Sequence, residues 1–392
     1  MVAGSAAFLL LGAVVALYGP LFPQLRTVFD VGIDEVGAVV SAHFLGSFVT
    51  VITSGVLLRR LGYRTVLLAG SGVLVVGLGV MAVAPSWPVF VLGAGLLGLG
   101  FGAVQVAANL LVARTFEVEP TNASGAGTPN ASGAASALNM VNAVFGLGAL
   151  TVPLLVVLFA PGFVWPLLIL ALLALVVFVL LARLPRYPQP PTRLSGADGR
   201  GGTAVIVGFV LLYLFYVSAE VGVTSWATEH LTPLVGASIG AAATSLYWGA
   251  LTVGRLLAVF VARRTAPRRL LISGLSIGFV GLLLANIDSI APFAYGLVGL
   301  AMAPTFATGL AWLTAQLPRR AEQVTPLVLA AASLGPVATA PLIGVIIAGQ
   351  GAGAVPFTLA TFVGLALLSA LFLARLRPLG PSGQTTAPAA RR

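Results

Sequence analysis

Residues 41–70 read SAHFLGSFVTVITSGVLLRRLGYRTVLLAG, and residues 245–274 read SLYWGALTVGRLLAVFVARRTAPRRLLISG. Laid over one another without a gap, Ser41 matches Ser245, Arg59 and Arg60 match Arg263 and Arg264, Arg64 matches Arg268, and Gly70 matches Gly274. Each copy is an apolar run, a short arginine-bearing turn and a second apolar run. This is the pattern of two membrane helices joined by a tight charged loop. Its recurrence in the other half of a 392-residue chain predicts two copies of one larger unit.

Outward from these copies, segments of the ~20 apolar residues that cross a ~30 Å hydrocarbon core are expected at 4–27, 35–58, 64–84, 88–114, 131–157, 163–183, 203–229, 237–262, 269–287, 290–316, 323–349 and 354–375. The composition agrees: 59% of residues are hydrophobic and only 8% charged, against about 25% charged in a soluble domain, and the mean hydropathy is +1.07. Six spans plus six in the same orientation form a parallel repeat about an axis along the membrane normal, with a substrate site between the halves near the midplane. The expected fold is an all-α membrane protein of twelve transmembrane helices in two six-helix bundles related by pseudo-two-fold symmetry. Residues 1–183 form the first bundle, 184–202 (LPRYPQPPTRLSGADGRGG) a cytoplasmic Pro- and Gly-rich linker, 203–376 the second bundle and 377–392 a cytoplasmic tail. The N-terminal apolar stretch lacks a basic leading region and reads as the first span, not a cleaved signal. Residues 115–131 (TFEVEPTNASGAGTPNA) read as a polar loop; its sequons at Asn122 and Asn130 are discounted because the loop is expected to be cytoplasmic.

The net charge is +10, and all twenty basic residues are Arg. Taken alone this would suggest nucleic acid, but the arginines fall in short clusters between apolar runs. With the N-terminus inside, the cytoplasmic loops and tail hold every Arg except Arg26, which is outside, and Arg255, which lies within a span. Such a bias fixes orientation: the expectation is a multi-pass inner-membrane protein with both termini cytoplasmic and no nucleic-acid partner. Cys is absent, which excludes disulfides, thiolate catalysis and Cys-ligated metals. There is no GxxxxGK[ST], no HExxH and no Ser–His–Asp set. The reading is therefore not an enzyme, with no cofactor, no metal site and no ATP as energy source.

Three segments carry a resemblance. GVLLRRLGYR (55–64) resembles the loop motif of the major facilitator superfamily, in which a Gly is followed by an acid, a base, a Gly and terminal bases; Gly55, Arg60, Gly62 and Arg64 fit, while Arg59 stands where the family has Asp. YLFYVSAEVGVTSW (213–226) resembles the Tyr-Val-x-x-Glu…Trp pattern of the fucose:proton-symporter-like sugar porters through Tyr216, Val217, Glu220 and Trp226. ALNMVNAVFGLGALTVPLL (137–155) resembles that branch's fifth-helix pattern through Asn139, Phe145, Gly146 and Gly148, with Asn142 in place of His. The resemblance implies the twelve-helix facilitator fold, transport by alternating access, a cavity lined by helices 1, 4, 7 and 10, and a loop arginine group (Arg59, Arg60, Arg64) in gating. The fucose symporter's acids in its first and fourth helices have no counterpart here, so its coupling residues do not carry over.

Ionisable groups inside a membrane are costly and usually functional. Glu220 reads as the carboxylate well inside a span, suited to carrying a proton or bonding a sugar hydroxyl; the plain alternative is a structural carboxylate. Tyr213, Tyr216, Glu220 and Thr224 share a face at helical spacing. Gln105 and Asn109 on the fourth helix, Asn139 and Asn142 on the fifth, Tyr18 on the first and Trp226 on the seventh complete a candidate substrate-binding set, with Asn109 and Glu220 as the leading pair; for the amides, interhelical bonding is the alternative. Trp248, Tyr247 and Trp312 are candidate cavity walls or packing aromatics. His43, mid-span in the second helix, is a candidate proton relay or a packed side chain. Arg255 is assigned to gating; an offset of ~10 Å along the normal argues against its pairing with Glu220.

The function read from the sequence is secondary active transport of a small polar solute, a sugar as first guess, with protons as candidate coupling ion, the lipid bilayer as surroundings and a monomer as the expected state. An exporter of amphipathic compounds is the alternative within transport, and a non-transporting receptor or scaffold the alternative outside it.

Overall fold

The structure is a computed structural model that describes residues 2–117, 131–183, 202–262, 264–317 and 320–376. Within these the chain forms α1 (Val2–Val15), α2 (Tyr18–Phe29), α3 (Ile33–Val36), α4 (Ala38–Ala82), α5 (Trp87–Glu117), α6 (Ala131–Leu158), α7 (Val164–Ala182), α8 (Thr203–Val235), α9 (Ala237–Ala262), α10 (Pro267–Leu284), α11 (Ala291–Met302), α12 (Thr305–Gln316), α13 (Ala321–Gln350) and α14 (Val355–Arg375). No strand occurs among the described residues.

Proline and glycine chemistry explains how these helices make twelve crossings. The first span bends by 48° between α1 and α2, where the ring of Pro20 removes a donor and crowds the carbonyl of Ala16. Pro304 breaks the tenth span between α11 and α12 in the same way. Helix α4 is too long for one crossing. Its continuity is interrupted at Gly62, where φ is 76° and ψ is 163°, a left-handed conformation that any side chain would strain. Packing against α5 shows the reversal. Gly98 meets His43 and Gly102 meets Ser47, whereas Gly93 meets Met81 and Gly100 meets Leu74. The first half of α4 therefore runs parallel to α5 and the second half antiparallel. Ten long apolar helices, the bent first span and the division of α4 give the twelve spans expected.

The internal repeat has a structural counterpart. Arg64 Nη2 donates to Ala182 O at 2.6 Å, and its match Arg268 donates through Nη1 to Ala374 O at 3.3 Å. Each arginine thus satisfies a carbonyl at the C-terminus of the last helix of its own half, where the helix dipole favours a cation. The matched serines act between halves. Ser41 Oγ donates to Val337 O at 2.8 Å and Ser245 Oγ to Leu150 O at 2.9 Å. Val337 O is free to accept because Pro341, one turn on, has no N–H. The halves meet where α2 packs on α8, α3 and α4 on α13, and α6 on α9. The sequons, the proposed tail and all of the proposed linker but Gly202 lie outside the described residues.

Candidate functional site

Two ion pairs occur among the described residues. The deeper one joins Arg255 Nη2 on α9 to Glu220 Oε1 on α8 at 3.5 Å, with side-chain exposures of 22% and 13%. This corrects the expected offset. Helix α8 runs to Val235, not to residue 229, so Glu220 sits about 22 Å from that end of its helix, and Arg255 about 27 Å along the antiparallel α9, by a 1.5 Å rise per residue. The remaining difference is within the reach of an arginine side chain.

Aromatic groups close around the pair. Tyr216 and Tyr247 are electrostatic neighbours of both Glu220 and Arg255. The Tyr247 hydroxyl and the indole N–H of Trp248 are buried and meet no partner at hydrogen-bonding geometry, and the buried Tyr216 hydroxyl lies beside the Glu220 carboxylate. Unpaired polar atoms of this kind are uncommon in a folded interior and need an explanation. From the other half, the Phe145 ring lies 5.8 Å from the Arg255 guanidinium carbon and packs edge-on to Trp248 at 6.0 Å.

Other expected site residues are placed elsewhere. Tyr213 turns to span ten, donating to Phe306 O at 2.5 Å, and the Thr224 hydroxyl bonds Val221 O of its own helix. Asn109 Nδ2 donates to Gln105 O at 2.8 Å, one turn back, and no bond joins it to Glu220 among the described residues. Gln105 and Asn142 are half-buried; the side chain of Asn139 lies outside the described residues. Trp226 is fully buried between Phe22 of the first span (4.9 Å between ring centroids) and Gly344 of the eleventh. Trp312 packs on Phe209.

His43 is completely buried, with Nδ1 2.9 Å from Tyr18 Oη and the ring edge-on to Phe101. This joins spans one, two and four without reaching Glu220 among the recorded contacts. The chain's other histidine, His230, makes a similar pair with Tyr295 at 3.1 Å. Arg59 and Arg60 are exposed, and no ion pair is recorded for them among the described residues. Arg64 binds within its own half, so the gating role expected of it has no inter-half contact in this conformer.

The second ion pair was missed by sequence reasoning. Arg26 Nη1 on α2 meets Glu229 Oε2 on α8 at 3.3 Å, linking the two halves at the end remote from the arginine-rich loops. The signal lay in the run from Trp226 to Val235, which carries no residue that stops a membrane helix except Pro233. Ending the span at 229 left Glu229 and His230 at its edge. Among the described residues no group of three His, Asp or Glu side chains could hold a metal ion.

The fold and this arrangement define a polytopic transporter, and the comparisons give the family. The family model described as Major Facilitator Superfamily matches residues 4–235, and the chain belongs to that superfamily: it is a multi-pass membrane transporter and not an enzyme. It is 22% identical over 361 residues to the glucose/mannose transporter GlcP of Bacillus subtilis (strain 168), covering 87% of this chain and 86% of that protein. Among solved structures it is similar to a D-xylose–proton symporter, with a TM-score of 0.77 at 16% identity over 95% of this chain and 96% of the other. It is also similar to the transporter FucP in the outward conformation, with a TM-score of 0.64 at 17% identity over 96% and 98%.

Proposed function

We propose that this protein is a proton-coupled sugar transporter that works by alternating access of its two six-helix halves. The observation that carries the proposal is the Glu220–Arg255 pair inside the bundle, with Tyr216 beside Glu220 and the unpartnered Tyr247 hydroxyl and Trp248 N–H close by. A pyranose offers hydroxyls to such groups and an apolar face to aromatic walls. A proton delivered to Glu220 cancels the negative charge of the pair and releases Arg255, so protonation and substrate contact meet at one locus. The relatives named for glucose, mannose and xylose transport support the substrate class, and the xylose–proton symporter supports the coupling ion.

In this reading residues 1–183 and 203–376 are the moving halves, 184–202 the linker and 377–392 the tail, and the protein acts as a monomer in the cell membrane with both termini cytoplasmic. Eighteen arginines on one side against Arg26 on the other support the orientation. The test is uptake by proteoliposomes of D-glucose, D-mannose, D-xylose and L-fucose beside a panel of amphipathic cations, with and without an acid-outside gradient. At least one sugar is expected to enter faster when the gradient is imposed. Movement of amphipathic cations alone would support the exporter reading instead.

A further inference from the structure

Arg255 is held from two sides. Glu220, on its own half, supplies the charge; Phe145, on the facing half, supplies an aromatic face 5.8 Å from the guanidinium carbon. Phe145 stands where three helices come close. Its backbone lies against Gly12 of α1, and the next residue, Gly146, presses on the Thr252 side chain of α9. No Cβ fits at Gly146 without moving Thr252, so the α6 backbone lies directly against the Thr252 side chain one residue from the ring. Further toward the end remote from the arginine-rich loops, the same interface carries the Ser245–Leu150 bond.

We propose that Phe145 is a positioning residue that couples the Glu220–Arg255 pair to the packing of the two halves, by holding the Arg255 guanidinium across the α6–α9 interface. This rests on the reading of Glu220 as the coupling carboxylate only for its consequence in transport; the contact itself is a property of the protein without substrate. Rocking that parts α6 from α9 removes the ring from the cation. Any change at Glu220 that frees Arg255 removes the cation from the ring. The ion pair and the closed interface therefore stabilise one another, which links an event at the site to the movement of whole halves.

A substrate-free measurement tests this. The chain has no Cys, so a single cysteine reports alone. Ala340 is 3% exposed and its backbone lies against Gly37 where α13 meets α4, at the end remote from the arginine-rich loops; Ala340→Cys in lipid nanodiscs reacts with a water-soluble maleimide at a rate set by how often that end opens. Phe145→Leu is expected to raise the rate between about two- and thirtyfold, the range of a cation–π contact from exposed to desolvated. Phe145→Trp, which keeps the aromatic face, is expected to stay near the parent rate. In a background with Glu220→Gln and Arg255→Gln together, Phe145→Leu is expected to have no effect. Equal rates for Phe145→Leu and parent would overturn the proposal, as would the same rise in the neutralised background, which would make Phe145 ordinary packing. The Glu220 coupling reading fails separately, by gradient-driven transport that survives Glu220→Gln.

Discussion

Glu220 and Arg255 are a pair whose two members depend on each other. Removing one partner of a buried ion pair costs about 3–5 kcal/mol because the other charge is stranded. With exposures of 13% and 22%, the lower end of that range is expected. Glu220→Gln and Arg255→Gln should each lower the thermal unfolding midpoint in detergent, and the double variant should recover part of the loss. Two stable single variants would show that the pair contributes nothing to the fold. Glu220 could be found from sequence because a lone acid in an apolar helix is costly and conspicuous. Its partner could not. Six residues of helix follow Glu229 before α8 ends, so a span ending at 229 misjudges the depth of Glu220 relative to Arg255. The same error hid Glu229 and His230, which are buried at 8% and 4% exposure. The amides fared differently. Asn109 was legible as a polar residue on the fourth helix, but residue type cannot say that its amide bonds back to Gln105.

Among the elements, the turn at Gly62 divides one continuous helix into two crossings. Its φ of 76° leaves Gly as the unstrained choice, and no atom lies within 4 Å of where a Cβ would stand. Gly62→Ala should therefore cost about 1–3 kcal/mol through backbone conformation alone, measured as a fall in unfolding midpoint with the oligomeric profile unchanged. Gly98→Val should be far worse, because its Cβ would overlap the His43 carbonyl and no rotamer relieves a clash with backbone. If Gly98→Val matched the parent in yield and midpoint, the close packing of α4 on α5 would be wrong. The twelve spans themselves were readable from apolar length, since a bilayer imposes one ruler on every helix. The bends at Pro20 and Pro304 were less so. Prolines also lie inside α13, at 326, 336 and 341, without dividing it, so proline marks a possible break and packing decides whether one forms.

For the whole molecule, the repeat seen in residues 41–70 and 245–274 becomes a symmetric set of contacts: matched arginines bind the last helix of each half, and matched serines bind across to the other half. The symmetry was legible in the chain; which side of the bundle is closed was not, because conformational state is a balance of small terms. Arg26 and Glu229 contribute one of them. A partly exposed pair of this kind is worth about 0.2–1 kcal/mol, so Arg26→Ala should raise the opening rate reported by Ala340→Cys by roughly one-and-a-half- to fivefold. The exchange of Arg26→Glu with Glu229→Arg should return it toward the parent value; no change with Arg26→Ala would remove the pair from the gate. The central claim, coupled transport through Glu220, is tested most directly by accumulation, in proteoliposomes under an acid-outside gradient, of labelled D-glucose, D-mannose, D-xylose and L-fucose in turn, comparing parent with Glu220→Gln on the sugar that the parent takes up fastest. The account predicts that the parent concentrates the sugar above its external level until a protonophore is added, and that Glu220→Gln only equilibrates it. Accumulation by Glu220→Gln equal to the parent, or none by the parent, would contradict the account.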